Sequence, residues 1–154
     1  MYRRRVLGFG VVFAFFAIAA IHAASAADPT YCAKYASDAE KAASLAKKLG
    51  CGFQGPRWGM DKGPHMAWCL LVDPKLAHSE TEARSADLKL CSCQQYADQT
   101  MVQVAINIAK KCGFTGLRWL DNKKAHYNWC FNANPGLKAM QNEIDIRKQM
   151  LKGC

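Results

Sequence analysis

Arginine followed by tryptophan occurs twice in this chain, as Arg57-Trp58 and Arg118-Trp119, each time behind a Cys-Gly-Phe-x-Gly-x stem. An arginine presents a planar fork of donors suited to carboxylate or phosphate, and an indole offers a flat face to sugar rings or cations. Glycines around each pair let the backbone turn tightly. A second motif, His-x-x-Trp-Cys, also recurs, as His65, Trp68 and Cys69 and as His126, Trp129 and Cys130. Histidine and tryptophan three residues apart share one side of a helical turn. Such a histidine can orient a ligand by hydrogen bonding or respond to pH. These eight residues, Arg57, Trp58, His65, Trp68, Arg118, Trp119, His126 and Trp129, are the candidate ligand-binding set.

Each motif also has a purely structural reading. Tryptophan is usually mostly buried, so the indoles can plug a small core while each arginine pairs with a helix acid such as Glu82 or Asp145. The histidines can donate to backbone carbonyls inside the core. One histidine per repeat supplies no clustered partner, and neither repeat offers enough ligands for a metal. No cofactor is implied. The motifs G-x-S-x-G, H-E-x-x-H and G-x-x-x-x-G-K-[ST] are absent, so no catalytic residue is assigned.

The elements that must hold these residues are set by eight cysteines. Cys32, Cys51, Cys69 and Cys91 are repeated as Cys93, Cys112, Cys130 and Cys154. Residues 28–91 and 92–154 therefore read as one small unit written twice. The first segment of each copy carries apolar residues at three- and four-residue steps: Cys32, Tyr35, Ala36, Ala39, Ala43, Ala46 and Leu49. Asp28, Pro29 and Thr30 mark its start, and Gly50 and Gly52 its end. A Gly- and Pro-rich loop follows, then a short helical turn from Pro64, stopped by Pro74 and, in the second copy, by Pro135. The last segment, with Glu80, Glu82, Arg84, Leu88 and Cys91 matching Glu143, Asp145, Arg147, Leu151 and Cys154, reads as a second long helix. Strand signals are weak throughout. The expected fold is mainly α: two tandem disulfide-stapled helical-hairpin repeats, each with a Gly-rich loop.

Residues 1–27 read as an export signal. Arg3, Arg4 and Arg5 precede an apolar run from Val6 to Ile21, and small residues at Ala24, Ser25, Ala26 and Ala27 suit a signal peptidase. The run is short for a membrane anchor, which needs about 20 apolar residues. No stable membrane anchor is expected after cleavage. An even cysteine count behind such a segment implies disulfides in an oxidising compartment. It also leaves no thiol nucleophile.

Geometry limits the pairing. Cys32 and Cys51 bracket a helix and lie about 28 Å apart at 1.5 Å per residue, whereas a disulfide needs Cα atoms within about 7 Å. If the long helices run antiparallel, Cys32–Cys91 and Cys51–Cys69 form, with Cys93–Cys154 and Cys112–Cys130 in the second copy. The alternative is Cys32–Cys69 with Cys51–Cys91. Bridges of this span are worth about 3–4 kcal/mol each in the chain-entropy model, which decides whether a 60-residue helical unit folds.

The full chain carries a formal charge of +9. Residues 28–91 contribute +1 and residues 92–154 contribute +5. A basic second half favours anionic surfaces, although such a charge also serves solubility. No basic-aromatic track argues for nucleic acid.

The combined signature, Cys-x-x-Tyr-Ala, Cys-Gly-Phe-x-Gly-x-Arg-Trp and His-x-x-Trp-Cys, resembles a four-cysteine repeat of exported bacterial proteins. The resemblance covers both copies, with Leu117 in place of Pro56 and Ala125 in place of Pro64. It implies a bacterial protein of the periplasm or cell exterior and supplies no active site. The expected function is a non-catalytic binding or interaction protein of the cell envelope. Its partner would be envelope polysaccharide or another anionic surface, or else a protein. A secreted inhibitor or effector acting on a protein partner is the alternative, and an envelope enzyme a third class.

Overall fold

Asp28 starts the first helix in a way its sequence dictates. Its carboxylate accepts from the backbone N–H groups of Thr30 and Tyr31 at 2.8 and 3.1 Å, and Pro29 fills the first helical position, where no N–H is needed. Helix α1 then runs over Pro29–Leu49 and stops where Gly50 adopts φ 70°. This computed structural model describes residues 27–154. The export-signal reading of residues 1–27 lies, Ala27 apart, outside the described residues.

Four further helices follow: α2 over Lys62–Leu71, α3 over Pro74–Ala109, α4 over Lys123–Ala133 and α5 over Gly136–Lys152. Short 3-10 turns at Pro56–Trp58 and Leu117–Trp119 carry the two Arg-Trp pairs. No strand occurs among the described residues. The mainly α, disulfide-stapled fold is as expected.

Two local expectations need correction. Helix α2 is not a turn begun by Pro64 but ten residues long, capped by Asp61. Pro74 does not stop it. It occupies the first position of α3, capped by Asp73. Helix α3 then passes through Cys91, Ser92 and Cys93 without a break. The last helix of the first repeat is therefore the first helix of the second, 36 residues and roughly 54 Å long.

This length of α2 overturns the disulfide pairing first derived above. The bridges are Cys32–Cys69, Cys51–Cys91, Cys93–Cys130 and Cys112–Cys154, with Cα separations of 5.5, 5.7, 5.4 and 5.6 Å. Cys32–Cys91, Cys51–Cys69, Cys93–Cys154 and Cys112–Cys130 do not form. The return stroke after α1 is made by the loop and α2 together, which bring Cys69 back beside Cys32. Helix α3 therefore starts at the end where α1 started and runs parallel to it. Cys91 reaches the level of Cys51. The same three strokes recur in the second copy. No cysteine is free.

Small residues let the helices approach closely. The buried face of α1 includes Ala36, Ala39, Ala43 and Ala46. The core is three clusters rather than one: around Cys32, Tyr35, Cys69 and Ala77, around Cys93, Tyr96, Cys130 and Met140, and around Val104, Trp119 and Leu151. With so little apolar volume in each, the staples carry much of the stability.

Candidate functional site

At the centre of each repeat lies a buried arginine that the motif reading did not single out. Arg84 is 2% and Arg147 1% exposed. Arg147 donates from Nε to the carbonyl of Arg118 at 3.0 Å, from Nη2 to the Tyr96 hydroxyl at 2.6 Å, and from Nη1 to Gln103 Oε1 at 3.4 Å. Arg84 repeats the first two bonds, to the carbonyl of Arg57 at 3.3 Å and the Tyr35 hydroxyl at 3.1 Å. Each guanidinium also lies 5.3 Å from the centroid of that tyrosine ring. A buried charge survives only when paired and fully hydrogen-bonded. The carboxylate that balances it, Glu80 or Glu143, sits one helical turn before the arginine at 3.7 or 4.0 Å.

The same carboxylates hold the motif arginines. Arg118 grips Glu143 in a bidentate fork, Nε to Oε2 at 2.9 Å and Nη2 to Oε1 at 3.0 Å. Arg57 grips Glu80 at 2.6 and 2.9 Å and adds Asp87 at 3.2 Å. The expectation that a helix acid takes each arginine is right in kind, but the acids are Glu80, Asp87 and Glu143 rather than Glu82 or Asp145. The hydrogen bond from Arg118 is the main cause that holds the Glu143 carboxyl below the usual range, and Glu143 in turn raises the Arg118 guanidinium.

Both histidines are core residues at 5% exposure. His65 Nε2 donates to the carbonyl of Gly59 at 2.9 Å, and His126 Nε2 to that of Leu120 at 2.8 Å. A carbonyl can only accept, so the proton of the neutral ring sits on Nε2. Burial is the main cause that pushes the His126 imidazole below its ordinary value. Each ring meets its repeat's tyrosine edge-on, and each tyrosine packs against Trp68 or Trp129 at 5.5 or 5.2 Å.

The Arg-Trp pairs do not form one patch. Trp58 stacks on Phe53 at 4.3 Å and Trp119 on Phe114 at 5.0 Å, and Trp119 is buried. The glycine before each turn makes this possible: Gly55 and Gly116 hold φ 90° and 88° with fully extended ψ, a region open essentially to glycine alone. The chain then presents arginine toward α3 or α5 and folds tryptophan back onto phenylalanine.

What the second repeat does assemble is a surface depression of about 340 Å³. It is lined by Arg118, Glu143, His126, Trp129, Leu117 and Leu120, with Tyr96 and Arg147 behind them. Trp129 is 39%, Leu117 86% and Leu120 41% exposed. Trp58 lines a separate depression with Phe53, Lys47 and Met60. Among the described residues no group of three or more potential ligands can hold a metal ion, and no helix is long and apolar enough to cross a membrane.

Comparison with protein-family models, with curated proteins and with solved structures finds no match to this chain.

Proposed function

We propose that this is an exported, non-catalytic binding protein of the bacterial cell envelope, periplasmic or secreted, and that its ligand is a neutral carbohydrate. The observation that carries the reading is the exposed Trp129 beside the Arg118–Glu143 pair in one depression. An aromatic face and two aliphatic walls suit the apolar side of a sugar ring. A fixed guanidinium–carboxylate fork offers both donors and acceptors to vicinal hydroxyls. The same pair argues against a free anion. Arg118 is already neutralised, and an incoming phosphate or carboxylate meets Glu143 as a like charge. The volume falls within the range of small-ligand sites, about 300–1,000 Å³. Four disulfides fit the oxidising compartment that export implies.

Calorimetric titration of the oxidised protein with neutral envelope oligosaccharides, and separately with polyphosphate, tests this. Binding of the neutral sugar that is lost in Trp129→Ala supports the reading. Preferential, salt-sensitive binding of polyphosphate, or no heat with any sugar, overturns it.

A further inference from the structure

The second repeat fills a place that the first leaves open. In the second copy the buried Asn107 carboxamide closes on the loop that follows its helix. Its Nδ2 donates to the Phe114 carbonyl at 2.9 Å, and its Oδ1 accepts from the Phe114 N–H at 3.2 Å. The matching residues of the first copy are Ala46 and Phe53. Among the described residues, the N–H and C=O of Phe53 have no hydrogen-bond partner. The frame around them is nevertheless the same. The Cys51 N–H donates to the Ala46 carbonyl at 2.9 Å, and the Cys112 N–H to that of Asn107 at 3.0 Å. Gly52 and Gly113 hold φ 69° and 76°. A second filling residue is lost beside the first: Val104, packed on Trp119 in the core, is matched by Ala43. Trp119 is buried accordingly, whereas Trp58 is only half-buried. Ala43, Ala46, Phe53 and Trp58 line one depression of about 500 Å³, together with the exposed Lys47 and Met60.

We propose that this depression is a binding site for a primary carboxamide. The second copy shows which chemistry fits, because there the chain supplies the group itself. Both backbone groups of one phenylalanine meet a single partner, which must offer an acceptor and a donor side by side. A primary carboxamide does so. A carboxylate has no donor and would set an oxygen against the Phe53 carbonyl, and an ammonium has no acceptor. A trans secondary amide, such as a peptide bond or the N-acetyl group of an amino sugar, turns its N–H and C=O to opposite sides. The space that Val104 fills in the second copy, between Ala43 and the Trp58–Phe53 stack in the first, takes the apolar body that carries the amide. Backbone donors and acceptors in folded proteins are nearly always paired, so these two are left to water or to a ligand. The amide can come from a small molecule or from the side chain of a peptide glutamine or asparagine, and the chemistry at Phe53 is the same. This site shares no lining residue with the Trp129 depression and does not depend on the carbohydrate reading.

Titration of the isotope-labelled oxidised protein with benzamide, followed through its amide NMR resonances, tests this. The Phe53 N–H resonance is expected to shift saturably, with Kd on the order of 1 mM for so small a ligand. The Phe114 resonance, held by Asn107, is expected to stay in place. Benzoate and N,N-dimethylbenzamide keep the ring but lack the donor, and are expected to leave Phe53 unmoved. Ala46→Asn restores the filling of the second copy and is expected to abolish the response. Ala43→Val narrows the apolar part and is expected to weaken binding about tenfold. Both variants are used with native near-ultraviolet circular dichroism. The peptide acetyl-Gly-Gln-Gly-methylamide separates the sources: a tighter response than to benzamide assigns the site to a glutamine side chain, a weaker one to a small amide. A Phe53 resonance unmoved by either amide up to about 50 mM, an equal response to benzoate, or a response that survives in Ala46→Asn each overturns the proposal.

Discussion

Replacing Arg147 with methionine tests whether the buried guanidinium organises the second repeat. Methionine keeps much of the volume and removes the charge. The substitution takes a donor from three acceptors at once: the Arg118 carbonyl, the Tyr96 hydroxyl and Gln103 Oε1. Tyr96 is 4% and Gln103 9% exposed, so water replaces the lost donor poorly. A buried acceptor left without its partner costs about 1–3 kcal/mol, and breaking a buried ionic network from one side about 3–5. Some of the first figure is recovered if the Tyr96 hydroxyl turns away, so the net expectation is a loss of about 3–5 kcal/mol. Arg118→Gln removes an arginine 40% exposed at its side chain and is expected to cost no more than about 1 kcal/mol. Urea unfolding of the non-reduced proteins, followed by far-ultraviolet circular dichroism, separates the two cases. Adding Tyr96→Phe to Arg147→Met is expected to recover part of the loss, with a coupling of about 0.5–3 kcal/mol. An Arg147→Met protein as stable as Arg118→Gln would refute the reasoning and reduce the buried arginine to packing.

The disulfide pattern is open to direct mapping: non-reducing digestion should release peptides joining Cys32 to Cys69 and Cys93 to Cys130, and a Cys32–Cys91 peptide would contradict the fold. His126 titrates below its ordinary value when folded, so the unfolded state binds its proton first. Its contribution is fully present above the unfolded pKa of about 6.5 and is lost as pH falls through the folded one, so His126→Gln should be less stable at pH 7.5 yet lose less stability between pH 7 and 5. Glu143 is also depressed, with Arg118 as the main cause, so its contribution is lost as pH falls below the carboxylate range, and Glu143→Gln should flatten the acid limb of the stability profile. Gly116→Ala meets no neighbouring atom at its new Cβ, so its cost is backbone strain alone, about 1–3 kcal/mol in the unfolding assay.

Much of the architecture is legible in the residues. The repeat, the α1 boundaries at Asp28 and Gly50, and the helix carrying Glu80 to Cys91 all follow from spacing and capping chemistry. So does the structural role of His65 and His126, since a single histidine beside an aromatic cluster finds a backbone acceptor more readily than a ligand. The disulfide pairing was lost on one point. Gly63 and Pro64 disguise the first turn of α2, although both positions tolerate them there, and a helix taken for a turn cannot carry Cys69 back to Cys32. The buried arginines leave a clear trace in the residues. Arg84 falls on the stripe of Ala77, Glu80, Leu88 and Cys91, and Arg147 on that of Met140, Glu143 and Leu151, and both copies keep a tyrosine on the facing helix. The choice of Glu80 over Glu82 follows from the same stripe, since two residues along a helix turn the side chain away by more than half a circle. Whether Trp58 and Trp119 face their arginines depends on Gly55 and Gly116, whose backbone angles no sequence pattern states.

The staples also decide what a protease can do to this molecule. Cys32–Cys69 and Cys51–Cys91 overlap along the chain, and Cys93–Cys130 and Cys112–Cys154 overlap in the same way. A single cut anywhere between Cys32 and Cys91, or between Cys93 and Cys154, therefore leaves one covalent molecule. Between Cys32 and Cys154, only the two peptide bonds flanking Ser92 lie outside every bridge, and there the chain is inside α3 with Ser92 itself buried. The one place between Cys32 and Cys154 where a nick would split the protein is a stretch of helix that a protease must first unwind. A chain so arranged is nicked long before it is dismembered.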